Sequence, residues 1–404
     1  MRKVIAIISE YNPFHTGHKH QIDSIRKEIG EDSVIIAIMS GNYTQRAECA
    51  IADKLVRATA AVECGVNLVL ELPFPYSSAS AELFARAGVN IADSLGVVDY
   101  LSFGSELGSI DKLIAIANNI SSERFTASLG DAIKKQKHTA DGYPALFEAV
   151  YRDTFACDEA EIYTPNNILA IEYIKALGSI RSNIQPHTIA RKGADFNTNV
   201  IKDNEHPSAT AIRARLEKND ISALDFLPIY SKEAYLDAYN KNDFPCDFTK
   251  LGTSFISFFR INNTPTKQIH DAEGGLYNRL ARLSHKAGDI NTLTELALTK
   301  KYTRARIRRA ILFSYFGVTS SDVKSEPRYS QVLAMDSLGA EMLKAIKKKG
   351  KIKLITKPSA TDGLDGDALM QKHLCDTADS VFQLAKPRFT DGSYHLTFTP
   401  YVKK

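Results

Sequence analysis

Short apolar runs alternate with amphipathic stretches through the first half of the chain. Residues 4–8 are continuously apolar, as expected for a strand buried on both faces of a parallel sheet. A helical period follows over 18–29, then a second apolar run at 34–39. Residues 53–64 read as a helix ended by Gly65, and 67–72 as a third strand closed by Pro73. Residues 79–95 are helical in pattern, and 100–103 form a fourth strand opening into Gly104 and Ser105. Residues 110–160 read as a helical insertion or lid. A helix at 167–177, a strand at 184–189 and a helix at 209–218 complete the series. This order predicts an α/β, Rossmann-like fold, a parallel sheet with helices on both faces. Ligands of such sheets bind at the carboxyl ends of the strands near a switch point, so the turns after Ile8, Met39 and Phe103 are the places to look.

The alternation breaks near 220–230. The pattern therefore divides the chain into a catalytic unit, residues 1–220, and a mixed α/β region, residues 221–404. In the second region helices are predicted at 275–287, 290–300 and 303–315. A strand–helix–strand unit follows at 331–335, 340–348 and 351–356, then a helix at 366–385.

Composition sharpens this division. The 404 residues are 44% hydrophobic and 24% charged, which is ordinary for a globular chain. The net charge of +4 is unevenly placed. The first 200 residues carry 19 basic and 24 acidic side chains, and the remainder 32 and 23. An acidic half followed by a basic one suggests two tasks, the second directed at a polyanion. Cys49, Cys64, Cys157, Cys246 and Cys375 are odd in number and show no Cys-x-x-Cys spacing. That argues against a disulfide framework or structural zinc and fits a reducing compartment. No apolar run is long enough for a membrane span, and the N-terminal run is too short for a signal peptide. A soluble cytoplasmic protein is expected; oligomeric state is not legible in the sequence.

The strongest chemical signal is His15-Thr16-Gly17-His18, just after the first strand. A helix N-terminus offers free N–H groups and a positive dipole end to an anion. Glycine permits close backbone approach. Two imidazoles one turn apart can donate to phosphate oxygens and stabilise charge that develops when a phosphate bond breaks. Their spacing does not suit a His-x-x-x-His zinc helix. Far downstream, Pro207-Ser208-Ala209-Thr210-Ala211-Ile212-Arg213 opens a late helix. Ser208 and Thr210 suit either helix capping or phosphate binding, and Arg213 adds a cation one turn in.

These two segments resemble the paired motifs of the HIGH-type nucleotidyltransferase superfamily. Five segments resemble, more narrowly, the bacterial tRNA(Met) cytidine acetate ligase family: EYNPFHTGH, SGNYTQRAECAIADKLVRA, FGSE, TPNNILAIEYIKAL and PSATAIR. The resemblance spans nearly the whole chain and is densest before residue 215. It implies formation of N4-acetylcytidine at the wobble position of elongator tRNA(Met), from acetate and ATP. It also implies ATP contacts along Ile7, Ile8, Ser9, Glu10, Tyr11, Asn12, Pro13, Phe14, His15, Thr16, Gly17, His18, Lys19 and His20. Further contacts are implied at Gly104, at one or both of Asn166 and Asn167, and at Arg191.

These last positions also have ordinary readings: a turn glycine, helix-capping amides and a solvated charge. Ser40, Asn42, Gln45, Asp53, Lys54 and Arg57 follow the second strand. By analogy with related transferases they are expected to line the second-substrate pocket, here for acetate. In the basic half, Lys300, Lys301, Arg304 and Arg308 are expected to share a helix face suited to RNA phosphates, or simply to solvent. Mg²⁺ is expected to screen the ATP phosphates, although no carboxylate cage is visible in the sequence.

The expected catalytic set is His15, His18, Ser208, Thr210 and Arg213, neutralising pyrophosphate as acetate attacks the α-phosphate. Two other readings stand beside it. One is an adenylyltransferase acting on a small phosphorylated acceptor, which leaves the long basic half unexplained. The other is a non-catalytic RNA-binding protein, which leaves the intact histidine turn unexplained.

Overall fold

The computed structural model describes residues 2–135, 142–156, 162–191, 208–357, 361, 363–389 and 391–404. Cys157, Lys192 and Pro207 lie outside the described residues. The predicted strands appear as β1 (Val4–Ser9), β2 (Val34–Ser40), β3 (Leu68–Leu72), β4 (Tyr100–Ser105) and β5 (Gln185–Ala190). All neighbouring pairs among them are parallel, in the order β5-β4-β1-β2-β3. β1, β2 and β3 are buried almost throughout, which is why they read as unbroken apolar runs rather than alternating ones. The order reverses direction at β1, which lies between β2 and β4. A crevice therefore opens at the carboxyl ends of β1 and β4.

Helices cover both faces. Ile5, Ile7, Ile35, Ala37 and Val69 pack against the helices Thr16–Ile29, Lys54–Glu63 and Ile229–Asn240. Ala6, Ile8, Ile38, Leu101 and Phe103 pack against Ala81–Ser94, Ile110–Ser121 and Pro165–Ser179 on the other side. The region 110–160, read as an insertion, contributes the helices Ile110–Ser121, Glu123–Lys135 and Gly142–Phe155. Leu113, Phe125 and Tyr151 join this second core.

The strand–helix–strand unit of the second half does form, as β6 (Tyr329–Met335), the helix Ser337–Lys349 and β7 (Lys353–Ile355), but it builds no sheet of its own. β6 pairs antiparallel with β3. β7 and the short β8 (Tyr401–Val402) both pair parallel with β6. The two halves of the chain thus share one eight-stranded sheet. Strand pairing over such sequence separation leaves no local signature, so the pattern of apolar positions does not reveal it. A separate helical core is built from residues 251–316 and 375–385, and it meets the first half through Tyr43, Phe74 and Leu83.

The four described cysteines, Cys49, Cys64, Cys246 and Cys375, are buried free thiols. Among the described residues, no helix is long and apolar enough to cross a membrane.

Candidate active site

A cavity of about 400 Å³ opens at the carboxyl ends of β1 and β4. Its floor is Ile7, Ile8 and Ser9, followed by Glu10, Tyr11 and Asn12. His15 and His18 face it from the first helix, and Ser208, Thr210 and Arg213 from the late one. Gly104, Asn166, Arg191 and Gln45 complete the predicted residues that line it. Pro13, Phe14, Thr16, Gly17, Lys19 and His20 do not, although they belong to the same turn and helix.

The two histidines form a reciprocal cap. His15 stands at the helix N-cap, and its Nδ1 accepts from the Gly17 N–H at 3.0 Å. His18 Nδ1 accepts from the His15 N–H at 3.2 Å. An imidazole whose Nδ1 accepts carries its proton on Nε2, so both rings hold the same neutral tautomer with Nε2–H as donor. The rings stack with centroids 4.0 Å apart, and Tyr11 meets His18 edge-on at 4.9 Å. Burial, reinforced by His15 and Arg191, holds the His18 pKa well below the ordinary histidine value. His18 is therefore a neutral donor at physiological pH. Gly17 is required by this geometry, because a Cβ there would stand 2.7 Å from His15 Cε1.

Arg213 joins the two motifs. Its Nη1 donates to the Asn12 carbonyl at 2.7 Å and its Nη2 to Thr210 Oγ1 at 3.2 Å. Ser208 caps its helix by accepting from the Ala211 N–H at 3.2 Å. Both hydroxyls act as acceptors here, which keeps each O–H as a donor for an anion. Capping and anion binding are thus compatible. Two helix N-termini and three guanidinium groups, Arg46, Arg191 and Arg213, converge on a cavity whose lining carboxylate is Glu10.

The adjacent asparagines separate clearly. Asn166 lines the cavity, and its Nδ2 donates to Glu106 Oε1 at 2.5 Å. Asn167 is fully buried, and its Oδ1 accepts from the N–H groups of Glu106 and Leu107. It fixes the turn after β4 rather than facing the cavity. Gly104 sits beside Arg191, whose Cγ is 3.3 Å from where a Cβ would be. Sequence reasoning missed Gln21, Arg46 and an apolar wall of Phe84, Phe103, Ile168, Leu169 and Tyr173, which suits a nucleobase. Arg46, Phe103, Ile168, Leu169 and Tyr173 lie in the segments that carry the resemblance, but only the fold shows that they meet at one cavity.

Most of the residues expected to line a second-substrate pocket lie away from this cavity. Ser40, Asn42, Asp53, Lys54 and Arg57 are all buried and none lines the cavity; Gln45 alone of that set does. The helix Gly366–Phe382 brings Asp379 against Lys54 and Asn42. Lys54 Nζ lies 2.7 Å from Glu71 Oε1 and 2.5 Å from Asp379 Oδ2. Asn42 donates to Asp379 at 2.8 Å, and Asp53 pairs with Lys386 at 3.1 Å. Arg57 is spent on the carbonyls of Glu10, Ser40, Gly41 and Ala52. Asn42, Asp53 and Lys54 thus pair with residues of the second half, while Arg57 bonds within the first.

The expected basic face is also altered. Ile307, Ile311 and Leu312 pack inward as read. Lys300, Lys301 and Arg304 are exposed, with Arg304 against Glu295 and Lys301 on the Gly274 carbonyl. Arg308 instead turns toward the first half and pairs with Glu48.

Comparison with known proteins agrees with this architecture. A model of the HIGH Nucleotidyl Transferase family matches residues 2–394. The tRNA(Met) cytidine acetate ligase of a Thermoanaerobacter species is 34% identical over 388 residues, covering 95% of each chain. That of Clostridium perfringens is 35% identical, covering 97% of this chain and 98% of its own. A crystal structure of Thermotoga maritima TmcAL bound with alpha-thio ATP superposes with a TM-score of 0.88 at 30% identity, over 99% of both chains. The apo form of that protein gives 0.90. Fold, motif geometry and near full-length similarity together establish that this chain belongs to the tRNA(Met) cytidine acetate ligase family of HIGH nucleotidyl transferases.

Proposed function

We infer that this protein uses ATP to activate acetate and transfers the acetyl group to a tRNA cytidine. The observation that carries this reading is the neutral His15–His18 pair facing Ser208, Thr210 and Arg213 across one cavity. That arrangement suits a triphosphate whose α–β bond is to be broken. An acetate oxygen attacks the α-phosphorus, the bond to the β-phosphate oxygen breaks, and pyrophosphate leaves. Acetyl-AMP remains.

The two imidazoles stabilise the departing charge as neutral N–H donors, and Arg213 does so as a fixed cation. Such preorganised donors act mainly by electrostatics and positioning. The wall of Phe84, Phe103, Ile168, Leu169 and Tyr173 holds the adenine, with Asn166 and Arg191 at its polar rim. In the second step the N4 amine of the cytidine attacks the acetyl carbon. AMP leaves with the former acetate oxygen, and the nitrogen loses a proton to give N4-acetylcytidine. We assign the acceptor to the wobble cytidine of elongator tRNA(Met), since an anticodon loop presents an unstacked base.

Mg²⁺ fits here as a partner of the phosphates. Glu10 supplies one carboxylate in the lining, and one carboxylate with phosphate oxygens is an ordinary Mg²⁺ set. When bound, the ion screens phosphate charge. Glu71, Cys375 and Asp379 are close enough together to ligate an ion, but Lys54 already occupies that cluster and it is not in the cavity lining.

Incubation with ATP, labelled acetate and bulk tRNA, followed by nucleoside analysis, tests the reading. Label in N4-acetylcytidine, dependent on ATP, is the expected result. Pyrophosphate release only with phosphorylated small acceptors would replace it with the adenylyltransferase reading.

A further inference from the structure

Arg46 lines the cavity next to Gln45, on the loop between β2 and the helix Lys54–Glu63. Two residues on, Glu48 contacts Arg308 of the helix Arg304–Phe316. This places the rim of the cavity directly against the basic helix. Arg46 lies near two further arginines, Arg213 in the cavity lining and Arg308 outside it. Burial lowers the proton affinities of Arg213 and Arg308; Glu10 opposes this at Arg213, and the nearby charge of Arg46 lowers both further. Carboxylates that face these residues include Glu10, whose Oε1 accepts from the Gln45 N–H, Glu48 against Arg308 and Glu217 near Arg213. Arg308 Nε is buried with no hydrogen-bond partner. At the start of the same helix Arg304 is exposed, as are Lys300 and Lys301 just before it.

We propose that Arg46 and Arg308 together hold the backbone phosphate beside the cytidine that enters the cavity. This rests on the reading above, that a tRNA is the acetyl acceptor. A base drawn out of a loop needs its flanking backbone fixed, and paired guanidinium groups suit a phosphodiester. The ATP phosphates have their own donors in His15, His18, Ser208, Thr210 and Arg213. Arg46 differs from these in standing beside a helix that lies outside the cavity.

The test separates the two half-reactions. Acetate-dependent ATP–pyrophosphate exchange reports activation alone, and acetylation of tRNA reports both steps. In Arg46→Gln and in Arg308→Gln, the ratio of tRNA acetylation to exchange falls at least tenfold through a higher KM for tRNA. The slope of log affinity against log salt falls by about 0.7 for each lost phosphate contact to a single strand. Arg308→Lys keeps the charge, and so restores the slope more fully than the KM. Glu48→Gln removes the competing carboxylate and lowers the KM for tRNA.

Parallel loss of exchange and acetylation in Arg46→Gln would assign Arg46 to ATP and overturn the proposal. An unchanged KM and salt slope in both glutamine variants would overturn it as well, as would a raised KM in Glu48→Gln. A wild-type protein with no acetate-dependent exchange would refute the underlying acetate reading instead.

Discussion

The buried group Lys54, Glu71 and Asp379 contains two carboxylates and one ammonium, with Asn42 and Cys375 around them. One negative charge is in excess where water does not reach. Burial raises the Glu71 pKa from 4.5 to about 7; Lys54 opposes the rise and Asp379 adds to it. The folded protein therefore keeps a proton that the unfolded chain releases above pH 4.5. The contribution of this group to stability is largest below that value, falls as the pH climbs toward 7, and levels off above it. At about 1.4 kcal/mol for each factor of ten in proton affinity, the loss is about 3 kcal/mol. Glu71→Gln imitates the protonated side chain and leaves Lys54 paired with Asp379. The variant should match the wild type near pH 4.5 and exceed its stability at pH 8 by as much as about 3 kcal/mol. Denaturant midpoints of both proteins, measured across pH 4.5–8, give the comparison. Curves that stay parallel over that range, or a variant less stable at pH 8, would refute the argument that one carboxylate is surplus.

Three further outcomes are expected. His18→Ala removes a preorganised donor and should slow acetate-dependent pyrophosphate release by about 10²–10³-fold while leaving tRNA affinity nearly unchanged, measured by single-turnover kinetics and filter binding. In the wild type that same step should show no loss from pH 8 down to pH 6, because His18 stays neutral throughout; an acid limb at the ordinary histidine value would contradict this. Arg57→Leu strands the carbonyls of Glu10, Ser40, Gly41 and Ala52 in the interior and should cost about 3–5 kcal/mol in denaturant unfolding, whereas Lys300→Ala at the surface should cost less than about 0.5 kcal/mol.

Much of the molecule was legible because its signals are local. β1, β2 and β3 are unbroken apolar runs, and His15, Gly17 and His18 act within one turn of backbone. Ser208 and Arg213 sit at a helix start that the sequence also marks. What was not legible depends on residues hundreds of positions apart. Lys54 and Asp53 have the polarity of pocket residues, and only Asp379 and Lys386 show them to be buried partners instead. Arg308 has the spacing of a surface arginine, and only Glu48 reveals that it faces the cavity rim. Tyr173 and Phe84 resemble any core aromatics until the sheet brings them to one wall. The ambiguity between Asn166 and Asn167 is rotational, since adjacent helical residues differ by about 100° in direction and either could have faced the crevice.

The antiparallel pairing of β6 with β3 also matters during synthesis. β3 emerges early, but its second hydrogen-bonding edge must wait for residues 329–335, about 260 residues later. At translation rates of about 5–20 residues per second, that edge stays open for about 13–50 s. During this interval Leu68–Leu72 offers a nascent chain an unprotected row of amides and carbonyls beside apolar side chains. The first half is thus an incomplete sheet until the second half reaches it. A chain released early, or cut after residue 220, would present a template for intermolecular pairing rather than a soluble ATP-binding unit.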